Sequence, residues 1–289
     1  MSILSDLHLT QDELVKCEAK NGLLLVPALI AGEEAQLLLD TGAQGGIVLD
    51  WRYAEQRGLA ITDVHAKPSA FFTDPSRKAG TTRLRRVSVV GRTVNEITVS
   101  VCELLSSTDP LSGQVAGYLG PGFLNDGLLV VAAAERTVGF SQTLDKRRAF
   151  ESAAMAVKLL TVGGEFLPFT GDVSDALMPD QAPLITLLDT GSRVSIISVN
   201  YVRRKKGHRI LRWFLERAFR RGRRVPWTFE LPGGAGFRTR VQLVEFSPAY
   251  VEGTGMERVD AILGMDFFYH WVALFNFPSA QVALFPPGK

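Results

Sequence analysis

Twice in this chain an apolar run ends on an acid, at LLLDTGA (37–43) and again at LITLLDTGS (184–192). Such runs read as buried strands, where an ionised carboxylate is costly. A single instance could be a strand closed by an Asx turn. Two instances, Asp40 and Asp189, lie 149 residues apart (189 − 40) in a chain of 289, close to half its length. Each is followed by a second apolar run, GGIVL and VSIIS. Each is followed later by an apolar residue and glycine, Leu119-Gly120 within GYLGPGFL and Leu263-Gly264 within AILGMDFF. Each glycine then leads into another strand-like stretch. One structural unit is written twice, and two units, too few for a solenoid, are expected to face one another as lobes.

Between these points the runs are short and β-rich (RLRRVSVV, NEITVSVCEL, TRVQLVEF), with turn signals such as VGGE, PGGAG and VEGTG between them. The fold class expected is all-β with a few short helices, one of them over 49–59. The first lobe is expected over 1–145, a linker over 146–160 and the second lobe over 161–289. Residues 1–19 are open between a tail, a lobe strand and a propeptide. The composition is globular, 46% hydrophobic and 21% charged.

Two carboxylates brought together cannot both ionise cheaply, so they share a proton over a wide pH range. The charged member can take a proton from a bound water while the protonated one hydrogen-bonds a carbonyl oxygen. That arrangement suits peptide hydrolysis with no covalent intermediate and no cofactor. Gly42 and Gly191 let backbone N–H groups approach the acids, and the Thr41 and Thr190 hydroxyls can bond across the lobe interface.

These residues resemble the aspartic protease superfamily, the pepsin-like and retropepsin-like enzymes. The likeness rests on Asp40-Thr41-Gly42-Ala43, Asp189-Thr190-Gly191-Ser192, Tyr118-Leu119-Gly120 and Ile262-Leu263-Gly264. It implies two β-barrel lobes related by a pseudo-twofold, a cleft between them for an extended peptide, and Asp40 and Asp189 as the catalytic pair. Thr41, Gly42, Ala43, Thr190, Gly191 and Ser192 would support the loops, and Leu119, Gly120, Leu263 and Gly264 would back them. Ala43 follows the retropepsin pattern and Ser192 the pepsin one, so the chain reads as two retropepsin-like halves joined, functional as a monomer on a peptide or protein substrate. Pepsin-like enzymes carry a tyrosine on the flap over the first lobe, and 67–82 has none. Phe71 or Phe72 could cover the substrate instead, and core burial suits either equally. The alternative is a peptide-binding protein on the same fold that has lost turnover.

The segment 201–225 holds 11 Lys or Arg against Glu216, a balance of +10 in a chain whose net charge is +2. Apolar residues recur in it at helical spacing, giving a basic helical insertion. A solvated basic face over an apolar side packed on the second lobe is the reading adopted, with Trp213 and Phe214 in the core or the cleft wall. The alternative is an electrostatic foot over 203–224 on anionic lipid, nucleic acid or an acidic substrate, although no nucleic-acid partner is expected. His8, His65, His208 and His270 show no metal-ligand spacing, and no metal site is assigned. Cys17 and Cys102 read as buried thiols in a reducing compartment rather than one bridge. With no leader and no spanning stretch read in the sequence, a cytoplasmic location is expected.

Overall fold

Residues that alternate between apolar and polar become sheet throughout. The computed structural model describes residues 9, 13–67, 77–104, 109–143, 146–162, 165–176, 182–204 and 209–286. The first half runs through β1 (Leu14–Lys16), β2 (Glu18–Lys20), β3 (Leu23–Ile30), β4 (Glu33–Leu39), β5 (Ile47–Asp50), α1 (Trp51–Gln56), β6 (Thr62–Lys67), β7 (Arg77–Val89), β8 (Arg92–Cys102), β9 (Gly117–Leu119), β10 (Leu128–Ala132) and β11 (Thr137–Ser141). After α2 (Lys146–Glu151) and β12 (Met155–Lys158), the second half has β13 (Leu160–Val162), β14 (Glu165–Asp175), β15 (Leu184–Leu188) and β16 (Ile196–Ser198). Then come α3 (Val199–Arg204), α4 (Arg209–Arg220), β17 (Val225–Glu230), β18 (Gly236–Val244), α5 (Pro248–Gly253), β19 (Ala261–Leu263), α6 (Met265–Phe268), β20 (Val272–Asn276) and β21 (Gln281–Phe285).

The protein is all-β and bilobal. One sheet has the order β2-β3-β4-β9-β5-β8-β7-β6, and β3 also pairs with β7, which curls it into a barrel. The other runs β13-β14-β15-β19-β16-β18-β17, with β14 closing on β17. From β3 to β7 and from β14 to β17 the two orders correspond strand for strand. In each, a short parallel pair sets the apolar-Gly strand beside the strand that ends in Asp: Leu39 opposite Leu119, and Leu188 opposite Leu263. The correspondence ends at the sheet edge. β6 forms a hairpin with β7, whereas α4 precedes β17 in the equivalent place along the chain.

A third sheet, β1-β11-β10-β20-β21-β12, takes strands from both halves of the chain. Its junction is the antiparallel pair β10–β20, with Leu129 opposite Phe275 and Val130 opposite Leu274. Every residue of β10, β11 and β20 is buried; β10 and most of β20 are continuous apolar runs, while β11 also buries Thr137 and Ser141. Phe275 also meets the rings of Phe268 and Phe277.

Within 1–19, residues 14–16 pair with β11 and 18–19 with β3. Over 146–160 the chain forms α2 and then β12, which pairs with β21. The helix expected over 49–59 is shorter, Trp51–Gln56, because the Asp50 side chain caps it by accepting from Arg52 N at 3.0 Å. Phe71 and Phe72 lie outside the described residues. One expectation fails: Trp213 and Phe214 are 54% and 58% exposed, in neither core nor wall. The side of α4 that packs inward carries Leu215, Ala218 and Phe219, leaving both aromatics on other sides. No helix among the described residues is long and apolar enough to cross a membrane.

Phe275→Ala is expected to cost about 3–5 kcal/mol. Because its sheet joins both lobes, native-state hydrogen exchange should show amides of β4 and β15 losing protection together.

Candidate active site

Each Asp-Thr-Gly loop begins where a strand runs out of ladder. Asp40 N–H donates to Leu119 O at 3.0 Å and Asp189 N–H to Leu263 O at 2.9 Å, so the last rung of the parallel pair positions the acid. The chain then turns, with Gly42 N–H donating to Asp40 Oδ1 (3.0 Å) and Gly191 N–H to Asp189 Oδ1 (2.8 Å). Gly120 and Gly264 hold the loops from behind. A Cβ on Gly120 would lie 2.6 Å from Gly45 O, and one on Gly264 would lie 2.6 Å from Val194 O. Glycine is required there because backbone packs on backbone.

The loops then grip each other. Thr41 Oγ1 donates to Leu188 O at 2.7 Å and Thr190 Oγ1 to Leu39 O at 2.9 Å. Each hydroxyl also accepts the other threonine's N–H, both at 3.0 Å. Both threonines are buried, 1% and 0% exposed. The glycines complete the exchange: a Cβ on Gly42 would meet the Asp189 carboxyl carbon at 2.6 Å, and one on Gly191 would meet Asp40 Oδ2 at 2.6 Å. All the residues singled out from the two motifs therefore converge on one place. Ala43 and Ser192 close their turns by N–H bonds to Asp40 O (3.2 Å) and Asp189 O (3.3 Å). The Ser192 hydroxyl donates to Val194 O at 2.8 Å, within its own loop.

Each carboxyl lies against the glycine of the other loop, close enough for the two acids to interact. Burial, the Asp189 charge and hydrogen bonding to Asp189 hold the Asp40 carboxyl well above the ordinary value of 3.8. Burial also raises Asp189, but the amides of Gly191, Ser192 and Gly42 and the bond from Asp40 pull it back. The amides of Gly42 and Ala43 likewise pull Asp40 back, and the pair titrates as a unit with both members raised. Asp189 is 8% exposed, while Asp40 retains a partly accessible side.

Residues 26–123 match the family model described as aspartyl protease. Over that span the chain is similar to the aspartyl proteases. The match spans the first Asp-Thr-Gly loop and its backing Gly120, and no curated protein matches the chain. Beyond that span, the sheet of the second half repeats the strand order of the first from β14 to β17.

Three further residues stand near the pair. The Tyr118 hydroxyl is pushed upward by burial and then by Asp40, and the Tyr250 hydroxyl by burial and then by Asp189 and Asp40. Gln44 Nε2 donates to Gly253 O, tying the first loop to α5. Tyr118 belongs to the Tyr118-Leu119-Gly120 motif, whereas Gln44 and Tyr250 lie outside the motifs that carry the resemblance. Ser247-Pro248 was the legible signal for α5, since Ser247 Oγ caps it by accepting from Tyr250 N–H at 3.1 Å with Pro248 in the first turn. Among the described residues no cluster of His, Cys, Asp and Glu could hold a metal ion.

Thr190→Val leaves Thr41 N–H and Leu39 O without their partners and is expected to destabilise by about 2–4 kcal/mol in urea titration. Thr190→Ser, which keeps the hydroxyl, should recover most of that loss. A raised Asp40 favours the folded state fully below 3.8, and that advantage is lost as pH rises through the folded value. Asp40→Asn should therefore unfold at higher urea than the parent protein at pH 7, with the gap closing toward pH 3.

Proposed function

We propose that the protein is an aspartic endopeptidase that hydrolyses peptide bonds with a water held between Asp40 and Asp189. The observation that carries the reading is the pair itself: two acids presented by two reciprocally bonded loops, each lying against the glycine of the other. Asp189, as carboxylate, takes a proton from the water, whose oxygen attacks the scissile carbonyl carbon. Asp40 donates to the carbonyl oxygen and stabilises the tetrahedral species. When the C–N bond breaks, the proton held on Asp189 passes to the leaving nitrogen. Substrate is a peptide or protein segment, extended in the cleft between the lobes. Since both loops belong to one chain, a monomer carries a complete site.

The working form has one proton on the pair, so activity should fall on both sides of a pH optimum. Both carboxyls are raised, which moves that optimum from the acid range toward neutral. Neither Cys17 nor Cys102 is bridged, and burial pushes the Cys17 thiol up to about 12, which suits action in the reducing cytoplasm.

The test is mass-spectrometric profiling of a peptide library with the parent protein, Asp40→Asn and Asp189→Asn across acid to neutral pH. Cleavage by the parent alone, reduced at least roughly a thousandfold in each variant, is expected. Peptides retained by the parent but never cut would replace this reading with a peptide-binding protein.

A further inference from the structure

Helix α4 has two apolar sides, and only one is used. Leu215 is buried, and Ala218 and Phe219 pack partly buried against the core. At about 100° per residue, Trp213 lies about 160° around the helix from Leu215 and Phe214 about 100° from it. Those two are half of the large hydrophobics exposed among the described residues; Leu29 and Val64 are the others, and they lie far apart in sequence. The rings of Trp213 and Phe214 meet edge to face with centroids 5.0 Å apart, and the Arg217 guanidinium sits 5.3 Å from the Trp213 ring.

Cations surround this pair. Arg220, Arg221, Arg223 and Arg224 are exposed and form no salt bridge among the described residues. Glu216, the acid of the segment, is taken by Arg212 at 2.9 Å. With +10 gathered in 201–225 and a net charge of +2, the rest of the chain sums to −8 (2 − 10). Attraction to an anionic surface is thus confined to this side of the molecule and would orient it. The helix is also tied to α3 by Arg212 Nη1, which donates to Arg203 O at 3.4 Å. In α3, which precedes it, Tyr201 Oη donates to Asp175 at 3.0 Å and Arg204 pairs with the buried Asp260.

We propose that this side of α4 docks on an anionic lipid bilayer, with Trp213 and Phe214 seated at the headgroup–acyl boundary and the arginines on lipid phosphates. A solvated basic helix needs neither aromatic. A basic helix with an aromatic side directed away from its own core has the composition of an interfacial anchor. Lipid fits better than nucleic acid because the rings are already packed on each other and on Arg217. A ring edge and a guanidinium thus already take up ring faces on which a base would stack. The proposal is independent of the peptidase reading.

The experiment is vesicle co-sedimentation of the full chain. Phosphatidylcholine vesicles would be compared with vesicles containing about 30% phosphatidylglycerol, at low and at high salt, with tryptophan emission recorded. The expected result is association with the anionic vesicles alone, weakened by salt, with a blue-shifted emission that Trp213→Phe loses. Trp213→Ala with Phe214→Ala should bind roughly tenfold more weakly. Glutamine at Arg220, Arg221, Arg223 and Arg224 together should weaken binding roughly a hundredfold or more. Circular dichroism unchanged from the parent would confirm that these surface variants fold. The proposal is overturned if anionic vesicles are not bound, if the aromatic variant binds as well as the parent, or if a single-stranded oligonucleotide is preferred to the vesicles.

Discussion

Four hydrogen bonds between Thr41 and Thr190, and from each hydroxyl to the strand beneath the opposite loop, decide where everything else in the centre of the molecule can be. Their net contribution, about 0.5–1.5 kcal/mol each, is small beside the apolar burial of a domain this size. Their force is in what happens without them. Each is buried, so a lost partner strands a donor or acceptor away from water. Cohesion between the halves comes instead from the third sheet, where β10 and β20 run side by side with every residue buried. One device holds the lobes together, and the other sets their alignment at the acids.

That alignment is electrostatically expensive. Two carboxyls share a confined space, and the burial that raises both is the same burial that makes a shared proton useful. Amide donors reach both acids, two at Asp40 and three at Asp189, although the two motifs are nearly identical in sequence. A buried acid pair that disfavours the fold at neutral pH is a local cost that the rest of the structure must offset.

The repeat made the architecture legible: Asp40 and Asp189, with Leu119-Gly120 and Leu263-Gly264 behind them, appear in the structure in the mutual arrangement their spacing suggested. Residues fixed by short-range backbone contacts were readable because few residue types fit them. The side chains around the cleft were less so. Tyr250 reaches the neighbourhood of the acids through a helix whose cap was visible in Ser247-Pro248, but nothing local said which way that helix would face. Trp213 and Phe214 were misplaced for a related reason. Helical periodicity identifies an apolar side, and α4 has two, so the pattern alone could not tell the buried one from the exposed one.

Gly42 lies against the carboxyl of Asp189, and Gly191 against that of Asp40. Each half of the chain therefore carries, in a single missing methyl group, a mould for the acid of the other. Two copies of a duplicated unit are ordinarily free to drift apart, since a change in one can be compensated within it. Here the drift stops at the seam. The strands and surface helices of the two halves can diverge, as β6 and α4 have, while the loops at the centre can change only as a pair.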